Sequence, residues 1–180
     1  MAGPTAADAD KGAEVGTAAP WYRSKAPARP KLRALAVATA TSIVALVVLV
    51  AVGQLLGQTI LIPSLAATMA LVAGGSSLPM AQPRNVIGGQ LVSAVVAFVV
   101  LAIAGSSVWA AAVAGGLALG VMLLLRVSHS PATATVVIVV LEKPEIVRFL
   151  ALLLLGTVIL VAVGAVSARA NRTTYPLYWW

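Results

Sequence analysis

The 180-residue sequence has no cysteine, one histidine and five acidic residues, and only 9% of its residues are charged. Each shortage excludes a class of function. Without cysteine there are no disulfides, thiolate metal sites or thiol nucleophiles. One histidine without cysteine cannot build a zinc site, and no P-loop, HExxH or Gly-rich dinucleotide turn is present. We therefore expect no enzyme, no metal and no cofactor. Soluble domains carry about 25% charged residues, so 61% hydrophobic residues with a mean hydropathy of +1.02 point to the bilayer. Aromatics are scarce at 5%, and the apolar residues are mostly Ala, Val and Leu, a composition expected of a GC-rich bacterial genome.

The net charge of +7 is positioned for a membrane and not for nucleic acid. Arg23, Lys25, Arg29, Lys31 and Arg33 precede the first apolar run, and Arg169 and Arg172 follow the last. Lys and Arg flanking a span are topology signals and rest on anionic headgroups. No aromatic platform accompanies them, so nucleic-acid binding is not expected. Residues 1–33 are read as a disordered cytoplasmic segment ending in this basic stretch. They are not read as a cleavable signal, because the first apolar run is longer and starts later than a signal's core.

Hydrophobic runs predict an all-α, polytopic membrane protein over residues 34–170. Full spans are expected at Ala34–Leu56, Val86–Ala104, Val108–Leu125 and Ile146–Ser167. Two shorter stretches, Thr59–Ala73 and Pro131–Leu141, are opened or interrupted by Pro63 and Pro131. The order is long–short–long twice, which predicts an inverted repeat of two halves. Six crossings with cytoplasmic termini put Arg84, Arg126, Arg169 and Arg172 inside and Glu142–Glu145 outside, in line with the positive-inside bias. Four crossings with two re-entrant loops would put Arg84 and Arg126 outside. Residues 171–180, ending Tyr175-Pro176-Leu177-Tyr178-Trp179-Trp180, read as an aromatic tail at the interface.

Short, broken helices at matching positions of two halves are the sequence pointer to a transport site. A helix starting inside the bilayer offers unpaired N–H groups and a partial positive charge, which suit a small anion. Pro63 and Pro131 fit the first helical turn. Ser64, Thr68, Thr133 and Thr135 would add hydroxyls, although each can equally bond the preceding turn. His129 is the one group whose ordinary pKa lies near neutrality. It is either a proton site for coupled anion uptake or an interfacial histidine bonded to a loop carbonyl. Arg84 and Arg126 either draw anions into a vestibule or pin helix ends to headgroups. Asn85 is expected to cap a helix starting at Val86. Gly88, Gly89, Gly115, Gly116 and Gly120 are expected to allow close helix packing.

Three stretches carry a resemblance: Ala81-Gln82-Pro83-Arg84-Asn85-Val86-Ile87-Gly88-Gly89, His129-Ser130-Pro131-Ala132-Thr133-Ala134, and Tyr175-Pro176 with the closing tryptophans. From about Leu35 to Trp180 the chain resembles the HPP family of bacterial and plastid membrane proteins. That resemblance implies about four membrane spans and, from some plastid and cyanobacterial members, nitrite as a substrate. The chain departs from the family's His-Pro-Pro-Ala-Gly-Ala signature at Ser130 and Thr133. It also lacks the glycine usual after Pro63, and it has Gln90 where a histidine is frequent. The expected function is a secondary transporter or channel-like permease for a small inorganic anion, oligomeric or partnered in the bacterial inner membrane. The alternative is a non-transporting scaffold or accessory subunit of a membrane complex.

Overall fold

A lipid environment offers no partner for backbone N–H and C=O groups, so an apolar run can satisfy them only as a helix. The computed structural model describes residues 28–179, and among these no strand occurs. Residues 1–27 of the segment 1–33 expected to be disordered, and Trp180 of the tail, lie outside the described residues.

Six α-helices follow one another: α1 Leu32–Leu55, α2 Pro63–Gly74, α3 Pro83–Ala104, α4 Val108–Leu124, α5 Ala132–Glu142 and α6 Ile146–Ala170. A short 3-10 turn, Pro79–Ala81, precedes α3. Local chemistry sets the starts. Proline opens α2 and α3 at the first turn, where its missing N–H is no loss. The Ser107 hydroxyl accepts the Ala110 N–H to cap α4, and the Glu145 carboxylate accepts from Val147 and Arg148 to cap α6. Among the described residues α1, α3 and α6 are long and apolar enough to cross a membrane. Helix α4 has 17 residues, about 26 Å, and α2 and α5 are shorter still.

Partners along the helices fix their directions. Thr41 meets Ser167, while Leu49 lies by Gly156, so α1 and α6 are antiparallel. Leu65 packs on Gly156 and Val72 on Gly164, so α2 runs parallel to α6. Arg84 donates to the Leu125 carbonyl and Ser93 to Met122, so α3 and α4 are antiparallel. Asn85 donates to the Ser128 carbonyl and Gln90 meets Thr135, so α3 and α5 are parallel. The chain thus reverses at every helix. Lys31 and the end of α6 share one face, called here the termini face, with Arg84 and Arg126; Glu142–Glu145 lies at the other.

Helix α1 packs on α2 and α6, and α4 packs on α5 and α3. Helix α2 also packs on α6, α5 on α3, α2 on α5, and α3 on α6. Exchanging α1–α2–α3 for α4–α5–α6 turns this set of neighbours into itself. The ends of α1 and α4 match as well. Gln58 N–H returns to the Gly53 carbonyl and Val127 N–H to the Met122 carbonyl, both at 2.9 Å. The left-handed residue in these two turns is Gly57 (φ 62) in one and Arg126 (φ 60) in the other.

Three sequence expectations are corrected. Helix α3 begins at Pro83, so Asn85 is not the cap of a helix starting at Val86; it sits in the first turn and reaches across to Ser128. Gly115, Gly116 and Gly120 face open space, where an added Cβ would meet nothing within 4 Å. Tyr175 is not an interface aromatic: it is buried, and its hydroxyl donates to the Ala81 carbonyl at 3.0 Å. Burial pushes its phenol pKa up. Leu177 N–H also donates to Gln82 Oε1, so the tail is stitched to the start of α3. Tyr178 and Trp179 remain exposed.

Candidate functional site

The sequence stretch Gln82-Pro83-Arg84-Asn85-Val86-Ile87-Gly88-Gly89 forms a cradle for the break between α4 and α5. Gln82 Nε2 donates to the Ser76 and Leu78 carbonyls and holds the preceding turn. Arg84 and Asn85 then donate to the carbonyls of Leu125 and Ser128. Gly88 and Gly89 let Val127 and His129 lie against the α3 backbone: a Cβ on Gly89 would sit 2.6 Å from the His129 Cβ.

That cradle delivers His129 into the interior with no exposed surface. Its Nδ1 lies 2.8 Å from the Met80 carbonyl oxygen, which only accepts, so Nδ1 carries a proton. Its Nε2 lies 2.9 Å from Thr68 Oγ1 on α2. Thr68 Oγ1 accepts from Gln90 Nε2 on α3 at 3.0 Å. Gln90 Oε1 accepts from Thr135 Oγ1 on α5. Thr135 Oγ1 is also 2.8 Å from Ser64 Oγ; its single proton serves the amide carbonyl, so Ser64 is the donor in that contact. Ser64, Thr68, Gln90, His129 and Thr135 are all fully buried. One polar chain therefore runs from the turn before α3 through both short helices.

The arrangement accommodates two protonation states of His129. In the neutral ring Nε2 accepts, and the Thr68 hydroxyl donates to it. Thr68 Oγ1 is equally close, at 2.8 Å, to the Ser64 carbonyl one turn back. When Nε2 takes a second proton it donates to Thr68 Oγ1, whose own proton then turns to the Ser64 carbonyl. Gln90 keeps donating to the same oxygen in both states. No hydrogen bond is lost either way, which matters because an unmade one in a buried site costs about 1–3 kcal/mol. The expected bond to a loop carbonyl is present, made here by a fully buried ring whose second nitrogen faces the cluster.

Most of the backbone donors expected to face an anion at the helix starts are engaged within the fold. The N–H groups of Ala132, Thr133 and Ala134 already bond the carbonyls of His129, Ser130 and Pro131. Those of Leu65 and Ala66 bond Ile62. The breaks are themselves wound as turns, and they consume the donors. Side chains, not amides, are what the two starts offer each other. Thr133 bonds the Ser130 carbonyl at 2.8 Å and stays out of the cluster. Pro63 and Pro131 shape the starts, and Arg84, Asn85 and Arg126 lie at the cradle, not in the cluster. Sequence reasoning noted Gln90 only as a departure from the family pattern without placing it in the site, and it missed Met80. Gln90 carried a usable signal, as an amide inside the apolar run of α3. Met80 contributes only a carbonyl and carried none.

The chain matches the family described as HPP, transmembrane region, over residues 27–176. A transmembrane protein of Dictyostelium discoideum is 33% identical over 130 residues, 67% of this chain and 46% of that protein. A second transmembrane protein of the same organism is 30% identical over 129 residues, 67% of this chain and 42% of that protein. The chain thus spans less than half the length of these curated relatives. No solved structure matches it.

Proposed function

The chain belongs to the HPP transmembrane family, and from that premise we propose that it is a permease for a small inorganic monoanion, coupled to a proton carried on His129. The observation that carries this reading is the buried chain of Ser64, Thr68, Gln90, His129 and Thr135 where the two proline-opened helices pass each other. Buried polar and ionisable groups in a membrane bundle mark substrate and proton paths. Moving an unaccompanied monoanion against the membrane potential costs about 2.3 kcal/mol per 100 mV; a proton taken on His129 cancels that cost. The protonated ring, three hydroxyls and an amide supply the donors an oxyanion needs.

The neighbour pattern and the matched ends of α1 and α4 support two halves of opposite orientation, crossing six times in all, with α2 and α5 as short crossings. Basic residues at the termini face then favour a cytoplasmic orientation for both ends, in the inner membrane if the source is bacterial as its composition suggests. Nitrite is the probe the family resemblance recommends. In reconstituted vesicles, nitrite uptake should exceed that of protein-free vesicles and rise with an inward proton gradient; flux equal to the protein-free control would overturn the proposal.

A second reading has an observation of its own. Every polar group of the cluster is satisfied by another, as in a purely structural core. An accessory subunit would use it for rigidity, and purification in mild detergent would then return a stoichiometric complex with another membrane protein.

A further inference from the structure

On the termini face a crevice of about 380 Å³ opens between α1, α2 and α6. Lys31 and Arg33 stand at its rim, and Asn171 and Ser167 line the α6 side. It reaches down α1 as far as Thr41, eight residues or about 12 Å below Arg33. At that depth Thr41 and Ser167 share a hydroxyl–hydroxyl hydrogen bond across α1 and α6. On α2 the crevice ends at Val72, one helical turn from Thr68 of the buried cluster. A pocket that only held a lipid headgroup would keep its polar groups at the rim. This one carries hydroxyls to its inner end.

Under the exchange of halves, α1, α2 and α6 correspond to α4, α5 and α3. On those helices Ala97, Ala111, Ala114, Val136, Val139 and Val140 are buried against one another, which makes them a dry reference for the crevice.

We propose that this crevice is the termini-side vestibule through which water and a small anion reach the His129 cluster, with Val72 and the Thr41–Ser167 pair as its inner gate. The proposal rests on the permease reading and adds the route and the gate. Lys31 and Arg33 would concentrate anions at the mouth, as same-sign charge around a low-dielectric cleft does.

The chain has no cysteine, so single cysteines can report water access directly. Ala38→Cys and Ala73→Cys line the crevice, Val47→Cys is on the outer surface of α1, and Ala114→Cys is buried in the other half. In reconstituted vesicles with reagent on both faces, a charged methanethiosulfonate should modify the first two and spare the other two. The anionic reagent should outpace the cationic one about tenfold, and Lys31→Gln with Arg33→Gln should erase that preference. Nitrite should slow labelling at Ala73→Cys. Labelling of the crevice positions only by a lipid-soluble maleimide would overturn the proposal, since the crevice would then hold lipid; labelling without nitrite protection would overturn the anion as its ligand. No nitrite flux, with labelling and protection intact, would count against the permease reading while supporting the vestibule.

Discussion

At the scale of single residues, the account turns on contacts that leave no slack. Gly89 is required because a Cβ would come within 2.6 Å of the His129 Cβ and 2.7 Å of the Val127 carbonyl oxygen. Gly89→Ala should therefore cost about 1–3 kcal/mol through overpacking. Gly115→Ala, in open space, should be neutral or stabilise by roughly 0.5–1 kcal/mol through helix propensity. Denaturant unfolding of the two variants in detergent checks the pair, and equal costs would show that the cradle is not tight. Arg126 holds a left-handed conformation with φ 60, which costs a non-glycine residue about 1–2 kcal/mol. Arg126→Gly should then raise stability in the same assay, which separates its backbone position from any use of its charge. His129→Gln should lower proton-driven uptake about tenfold or more, matching loss of a charge-assisted hydrogen bond of about 1.5–3 kcal/mol. Uptake that keeps its pH dependence in that variant would remove His129 from the coupling.

Elements were the most legible level. Long apolar runs, with Pro63, Pro83 and Gly105 as punctuation, located all six helices to within a few residues, because a helix satisfies its own backbone groups within one segment in lipid. The misplacements have one cause. Asn85, Tyr175 and the backbone donors at the helix starts are decided by partners far along the chain or by how a turn winds, neither of which periodicity records. His129 bonds Met80, and Tyr175 bonds Ala81; those separations are invisible to a local reading. The tail is accordingly part of the fold. Tyr175→Phe leaves the buried Ala81 carbonyl without its donor and should cost about 1–3 kcal/mol, seen as a lower melting temperature; an unchanged melting temperature would mean the tail is loose. Helix α6 offers a pH test. The N–H groups of Arg148 and Val147 hold the Glu145 carboxyl below its usual value, so the cap favours folding when ionised. Its contribution is present at neutral pH and lost as pH falls through the lowered value. Glu145→Gln should melt earlier than the parent at pH 7, with the gap narrowing in acid.

For the whole molecule, a rhythm of long and short runs was legible, and the set of helix neighbours maps onto itself when α1–α2–α3 is exchanged for α4–α5–α6. What the rhythm did not contain is the asymmetry. Gln90 of α3 has Leu153 at the corresponding depth of α6, counting each from its helix start, so both short helices supply hydroxyls to the cluster while its amide comes from α3 alone. The loss of family glycines near Pro63 and Pro131 is compatible with this arrangement, since side-chain hydroxyls and not close backbone approach face the centre. Coupled movement of an anion and a proton through that centre is the central claim. Its most direct test is vesicles with an entrapped pH dye, clamped at zero potential and given an inward nitrite gradient at constant outside pH. The account predicts internal acidification faster than in protein-free vesicles, through which nitrous acid itself diffuses, and a return to that background rate in His129→Gln. Acidification at the protein-free rate with the unmodified protein would contradict it.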